Sequence, residues 1–213
     1  MMKTLTIVAF GDSITMSIQV EDERLRWTNL LRRRLREAFP DRESEVFNAG
    51  VGGNSTREAM ARLEKDVLAH RPDWVLLEFG GNNDDPFHPE RRVSVPEYRR
   101  YLEEFRARIP PETGVIVITF PPIIDEQHVY CGSEWCCRFG GIDAAAERFR
   151  IVSRGFAAEN GFPLVDLAAT LKVQLAAGDP NLYILPDGVH LNEAGNRLLA
   201  ELVFSTLEPR LRD

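Results

Sequence analysis

The stretch LTIVAFGDS, residues 5–13, decides how the rest of the chain is read. Leu5 to Phe10 carries no charge and no turn residue, the pattern of a strand buried on both faces. Gly11-Asp12-Ser13 follows at once, so a hydroxyl stands at the end of a buried strand. Working outward, Trp27, Leu30, Leu31, Leu35 and Ala38 recur at helical spacing until Pro40 closes that helix. Glu45 to Asn48 reads as a second short strand. Ser55-Thr56-Arg57-Glu58 has the form of a capping box, with Ala59, Met60, Leu63 and Val67 as the inner stripe of the helix behind it. Asp73 to Phe79 (DWVLLEF) is the third strand. A second capping box, Ser94 with Glu97, opens a helix whose stripe is Tyr98, Tyr101, Leu102 and Phe105.

Gly114 to Phe120 (GVIVITF) is the fourth strand, and Leu164 to Leu167 the last. Between them, residues 121–141 are rich in Pro, Gly and Cys, show no period, and read as an irregular excursion. A helix from Asp143, with Ala145, Phe149, Val152 and Phe156 inward, stops at Asn160-Gly161. A short helix, a loop from Gly178 to His190 and a final helix from about Asn192 complete the chain. Alternating strand and helix predicts a parallel sheet covered on both faces and joined by right-handed crossovers. Ligands of such sheets gather at the carboxyl ends of the strands. Four places therefore matter: Gly11 to Ser13, Asn48 to Ser55, Gly80 to Asp84, and the loop with Asp187 and His190.

The 213 residues fit one domain, 1–213, and a net charge of −7 argues against a nucleic-acid partner, which calls for a basic face. With 44% hydrophobic and 28% charged residues, the composition excludes wholesale disorder, a fibrous repeat and a bundle of membrane spans. Met1 to Phe10 leaves no room for a signal peptide, and no run approaches the roughly 20 apolar residues of a span, so a cytoplasmic protein without membrane attachment is expected. An odd number of cysteines in one stretch (Cys131, Cys136, Cys137) is unlike a disulfide scaffold. With His128 they could form a zinc set, but adjacent Cys136 and Cys137 fit one metal poorly, and packing beside Trp135 and Phe139 is the simpler role.

A serine hydroxyl is a poor nucleophile until a base accepts its proton. His70 stands at a helix end, where a solvated or cationic imidazole is ordinary, and His88 and His128 lie in loops with no carboxylate read at a fixed local spacing. His190 differs, because Asp187-Gly188-Val189-His190 puts a carboxylate three residues before the imidazole. Asp187 could hold one ring nitrogen and leave the other for Ser13. The glycines between Asn48 and Asn54 could turn a backbone N–H toward a negative oxygen, and Gly80-Gly81-Asn82-Asn83-Asp84 could aim an Asn amide at the same point. Singly, each piece also has a bland reading: Ser13 as a helix cap, the glycines as a turn, Asp187 with His190 as a helix start, Asn82 and Asn83 as turn residues. Asp12 could cap the following helix or tether the loop.

Taken in order, Gly11-Asp12-Ser13, the glycine loop, Gly-x-Asn and Asp-x-x-His resemble the four blocks of the SGNH hydrolases, also called GDSL esterases/lipases. The resemblance runs from residue 11 to residue 190. It implies a three-layer α/β/α, flavodoxin-like fold with about five parallel strands in the order 2-1-3-4-5. It implies Ser13 as nucleophile, His190 as base and Asp187 as its orienting acid. Oxyanion donors would be the Ser13 N–H, the Gly53 N–H (five after Asn48, as in the family's N-x-x-x-x-G pattern) and the Asn82 side chain. Many members read Gly-x-Asn-Asp where this chain has Asn83 after Asn82, so a shifted loop would put Asn83 in that role; the Gly80 spacing favours Asn82. The implied activity is hydrolysis of small or short-chain acyl esters through an acyl-enzyme, with no cofactor or metal. Acetylated carbohydrates, thioesters and lysophospholipids are alternative substrates. Phe87, Tyr130 and Trp135 are expected as walls of the acyl pocket. The rival class is a nucleotide-binding module, since Gly50-x-Gly52-Gly53 follows a strand and precedes a helix. Its G-x-G-x-x-G spacing fails, because Ser55 or Thr56 stands where the third glycine belongs.

Overall fold

Five strands pair in parallel: β1 (Leu5–Gly11), β2 (Ser44–Gly50), β3 (Trp74–Phe79), β4 (Gly114–Thr119) and β5 (Leu164–Val165), in the spatial order β2-β1-β3-β4-β5. They belong to a computed structural model that describes residues 4–176 and 178–212; Met1 to Lys3 and Asp213, the ends of the expected 1–213 domain, lie outside the described residues. The helices in chain order are α1 (Ser13–Met16), α2 (Trp27–Ala38), α3 (Thr56–Asp66), α4 (Val95–Arg108), α5 (Glu134–Phe139), α6 (Ile142–Asn160), α7 (Leu167–Ala176) and α8 (Glu193–Arg212).

Because side chains alternate along a strand, each strand feeds both faces of the sheet. Leu5, Ile7 and Ala9 of β1, with Leu76, Ile116 and Ile118, pack against α2, α7 and α8. Val8 and Phe10, with Val75, Leu77 and Val117, pack against α3, α4 and α6. That is why the strands read as unbroken apolar runs. Each fully buried Leu contributes about 1.5–3 kcal/mol by leaving water. Both capping boxes form: Glu58 Oε2 accepts the Ser55 N–H at 2.8 Å and Glu97 Oε2 accepts the Ser94 N–H at 2.9 Å.

Two elements depart from the sequence reading. The last strand stops at Val165 rather than Leu167, because the Asp166 carboxylate accepts the Ala169 N–H at 3.1 Å and starts α7. The excursion at 121–141 is not wholly irregular. It contains the short helix α5, capped where Ser133 Oγ accepts the Cys136 N–H at 3.1 Å and closed by Gly140 at φ 74°. Those cap residues were visible in the sequence but were masked by the cysteine and glycine content around them.

Register sets up the site. Gly11 pairs with Gly50 on one side and Glu78 on the other, so β2, β1 and β3 end level with one another. The chain order reverses between β1 and β3, which opens the crevice where such sheets bind ligands. Ser13 follows β1 and Asn82 follows β3.

Candidate active site

Ser13 is the first residue of the one-turn helix α1, and Asp12 caps it by accepting the Ile14 N–H at 3.0 Å. Both roles left open for Asp12, cap and tether, are therefore met, since its other oxygen accepts the Asn82 side chain. Gly11 is required by close packing: a Cβ there would lie 2.0 Å from Thr15 Oγ1 and 2.8 Å from the Glu78 carbonyl. Asn48 braces the far end of the turn, donating from Nδ2 to the Thr15 carbonyl at 2.8 Å and to Thr28 Oγ1 at 3.2 Å.

The partner of Ser13 comes from the other end of the chain. His190 Nε2 stands 3.0 Å from Ser13 Oγ, and His190 Nδ1 stands 2.7 Å from Asp187 Oδ2. With Nδ1–H donating to the carboxylate, Nε2 is left as the acceptor of the serine hydroxyl; this tautomer is the one the network requires. Asp187 Oδ1 also accepts the Val189 and His190 N–H groups at 2.9 and 3.0 Å. Partial burial alone would raise the Asp187 carboxyl, but these backbone donors and the His190 ring hold it below the usual carboxylate range. Gly188, at φ 76°, makes the turn, and a Cβ there would meet the Ile124 carbonyl at 2.6 Å. The Ile124 N–H donates back to the Gly188 carbonyl at 2.8 Å, so the 121–141 excursion holds the Asp187–His190 turn in place.

The two candidate asparagines part company. Asn82 is half-buried, faces the same cavity as Ser13 and His190, and donates from Nδ2 to Asp12 Oδ2 at 3.0 Å. Asn83 is fully buried and turned the other way, its Oδ1 accepting both the Thr56 N–H and the Thr56 hydroxyl at 2.9 Å. Gly53 sits at φ 73° in a turn where the Asn54 N–H donates to the Val51 carbonyl at 3.2 Å. Neither the Ser13 N–H nor the Gly53 N–H is donated to another protein group among the described residues.

Beside Ser13 opens a cavity of about 180 Å³ walled by Phe120, Ile123, Trp135, Ile142, Ala146 and Phe149. Tyr130 and Trp135 line it. Phe87 does not: it is 59% exposed and stacks on the outer side of Tyr130 at 4.4 Å. His128 also lines the cavity; its Nδ1 accepts the Tyr130 N–H at 3.1 Å and burial pushes its pKa down, so its proton sits on Nε2. His70 stacks on Phe47 at 4.2 Å. His88 does have a local carboxylate, contrary to the sequence reading: Asp85 Oδ2 lies 2.7 Å from its Nδ1. Cys136 is buried while Cys131 and Cys137 are exposed, and among the described residues no group of three or more His, Cys, Asp or Glu is placed to hold a metal ion.

Two residues at the site were not singled out from the sequence. Arg62 ties the strand ends together, donating to the Gly11 carbonyl at 2.8 Å, the Ala49 carbonyl at 2.7 Å and Asn54 Oδ1 at 2.8 Å. Its signal was weak, a cation three residues beyond an inner Ala59. Glu78, wholly buried, receives the Thr15 hydroxyl at 3.1 Å. It had a clear signal: a lone acid inside the apolar run WVLLEF.

A hydroxyl with an acceptor imidazole and an oriented carboxylate beside a cavity is an arrangement for acyl transfer. Comparison with known proteins agrees. Residues 9–198 match the model of the GDSL-like lipase/acylhydrolase family. An acetylxylan esterase from Geobacillus stearothermophilus is 29% identical over 171 residues, 78% of this chain and 73% of that protein. An arylesterase from Vibrio mimicus is 34% identical over 137 residues, 58% of this chain and 67% of its own length. The crystal structure of a lipase/acylhydrolase from Enterococcus faecalis superposes with a TM-score of 0.79 at 27% identity, covering 97% of each chain.

Proposed function

The chain belongs to the GDSL-like lipase/acylhydrolase family and is an ester-hydrolysing enzyme, and from that premise we propose that Ser13, His190 and Asp187 carry the reaction. The observation that supports this most is the continuous path from Ser13 Oγ to His190 Nε2 at 3.0 Å and from His190 Nδ1 to Asp187 Oδ2 at 2.7 Å, at the mouth of the apolar cavity.

In this reading Ser13 Oγ attacks the ester carbonyl while His190 Nε2 takes its proton. The tetrahedral oxygen receives the Ser13 and Gly53 N–H groups and one N–H of Asn82, each donor worth roughly 3–4 kcal/mol at the transition state. As the intermediate collapses, His190 returns the proton to the departing alkoxide and the alcohol leaves. Water then gives its proton to His190, attacks the acyl-serine, and the acid is released with Ser13 restored. Asp187 keeps Nδ1 protonated, so that Nε2 is a base when Ser13 needs one.

The substrate class proposed is the ester of a small or short-chain acyl group. An apolar cavity of roughly 150 Å³ takes up benzene, and the cavity here, about 180 Å³, has room for a short aliphatic chain or one ring. Acetyl esters of carbohydrates are the second reading, favoured by the acetylxylan esterase relative. Initial rates over aryl esters of rising chain length, with an acetylated sugar beside them, test both. kcat/KM should rise about fourfold per methylene while the cavity fills, from about 0.8 kcal/mol per CH2, and then fall. A monotonic preference for long chains contradicts the short-chain reading. An acetylated sugar preferred over every aryl ester would establish the second reading in its place.

A further inference from the structure

Two carboxyl groups lie wholly inside the protein next to the nucleophile. Asp12 and Glu78 are each 0% exposed, and Glu78 pairs in register with Gly11, one residue before Asp12. Asp12 already has two donors, the Ile14 N–H on Oδ1 and the Asn82 amide on Oδ2, both at 3.0 Å. Glu78 has one: Oε2 accepts the Thr15 hydroxyl at 3.1 Å, while its buried Oε1 receives no hydrogen bond. Each carboxyl acts on the other's titration across the β1–β3 pairing.

Two bare carboxylates buried on neighbouring strand ends in a dry interior repel each other, and one proton held between them removes the conflict. The neighbouring charged and titratable groups do not supply another remedy. Arg62 feels the Asp12 charge, but its guanidinium is committed to Asp66, Asn54 and the Gly11 and Ala49 carbonyls. His190, which also acts on Asp12, is bonded to Asp187 and Ser13. Tyr98 acts on Glu78 from α4, but its hydroxyl donates to the Phe79 carbonyl or lies against Ser153. No Lys, Arg or His forms an ion pair with Asp12 or Glu78 among the described residues. The bonding pattern says which group carries the proton: Glu78, whose Oε1 otherwise has no hydrogen-bond partner.

We propose that Glu78 is a positioning residue that works as a neutral acid, donating its proton through Oε1 to the Asp12 carboxylate, which in turn fixes the Asn82 amide beside Ser13. The inference rests on the reading of Asn82 as an oxyanion donor. Burial, reinforced by the Asp12 charge, raises Glu78 well above the usual carboxyl range. Burial also pushes Asp12 up, but its two oxygens accept the Ile14 N–H and the Asn82 amide, which favours the ionised, accepting form on Asp12.

Glu78→Gln and Glu78→Leu separate this role from simple packing. A Gln amide can donate to Asp12 and accept from Thr15 in the same shape, without a proton to lose; Leu can do neither. Glu78→Leu should lower kcat on an aryl acetate roughly 10- to 100-fold with KM little changed, as expected for a displaced donor, and Glu78→Gln should restore most of that loss. Infrared difference spectra of wild type minus Glu78→Gln at pH 7 should show the carbonyl band of a protonated carboxylic acid. Folding of the wild type must also take up a proton above the unfolded Glu value of about 4.3. The Tm of Glu78→Gln should therefore gain on that of wild type as pH rises from about 5 to 8.

Absence of the infrared band, or a Tm difference that does not change with pH, overturns the neutral-acid assignment. A folded Glu78→Leu with unchanged kcat overturns the positioning role. The band and the Tm difference are read without turnover, on variants that keep the shape of the side chain. They stand or fall separately from the assignment of Ser13, which is tested by loss of hydrolysis in Ser13→Ala.

Discussion

The spacing Asp-x-x-His occurs three times in this chain, at Asp85–His88, Asp125–His128 and Asp187–His190. His128 Nδ1 accepts the Tyr130 N–H, whereas the Asp85–His88 and Asp187–His190 turns are built alike. In each, the Asp Oδ1 accepts the N–H two residues on, at 2.9 Å, and Oδ2 meets the His Nδ1 at 2.7 Å. Both carboxyls are held below the ordinary range despite partial burial, by the same kind of backbone and imidazole donors. What differs is the far nitrogen. His190 Nε2 meets Ser13 Oγ at 3.0 Å, whereas the His88 side chain, 43% exposed, sits on the outer side of the cavity beside the β3 loop. An oriented imidazole is thus cheap to make locally; the order of strands decides which one faces a nucleophile.

The comparison is most easily broken at its strongest point. Ser13→Ala and His190→Ala should each lower kcat on an activated aryl ester by about 10⁴- to 10⁶-fold with the fold intact, read by initial rates and circular dichroism. His88→Gln should change kcat by less than about threefold. If His88→Gln were as damaging as His190→Ala, the distinction between the turns would be wrong. Asp187→Asn comes next, on the order of 10²- to 10⁴-fold, because the imidazole loses its preferred tautomer. Asp85→Asn should leave kcat nearly unchanged and move KM alone, since Asp85 borders the cavity and receives the Tyr130 hydroxyl at 3.2 Å. Asn82→Ala should cost about 10²- to 10³-fold in kcat, and Asn83→Ala should act on stability instead, by freeing the buried Thr56 donors at the start of α3.

The smallest effect is on stability in acid, and it should be equal for the two turns. Because the folded pKa of each Asp lies below its unfolded value of about 3.9, each contributes stability above that pH and loses it as pH falls through the lower folded value. Both side chains are partly exposed, so solvent screening keeps the contribution small. Asp85→Asn and Asp187→Asn should each flatten the acid side of a plot of Tm against pH while shifting Tm at pH 7 by no more than about 3 °C. A large shift for one turn alone would show that it carries structural weight the other lacks.

The sheet was legible because burial on both faces leaves strands such as GVIVITF without interruption, and because capping boxes at Ser55 and Ser94 mark where helices start. Ser13 and the Asp187–His190 turn stand out for the same reason, as they follow strand ends or precede the last helix. Less was legible where one residue type serves two ends. Phe87 read as a cavity wall, yet it stands outside, because the turn that pairs Asp85 with His88 carries it outward. Asn82 and Asn83 are chemically identical; the Gly80 spacing favours Asn82, and the structure separates them by the Asp12 carboxylate that Asn82 meets and the Thr56 donors that Asn83 meets. Arg62 is bound to the ends of β1 and β2 and to the loop after β2, and its bond to Gly11 spans 51 residues, which no local pattern encodes. Glu78 was visible as a misfit in its strand, but its meaning depends on Asp12 lying alongside.

The most direct measurement of the central claim is labelling with an organophosphonate ester followed by peptide mass spectrometry. A single adduct on Ser13 is expected, formed in step with loss of activity, absent from Ser13→Ala and greatly slowed in His190→Ala but not in His88→Gln. An adduct on another residue, or hydrolysis that survives in Ser13→Ala, would contradict the account.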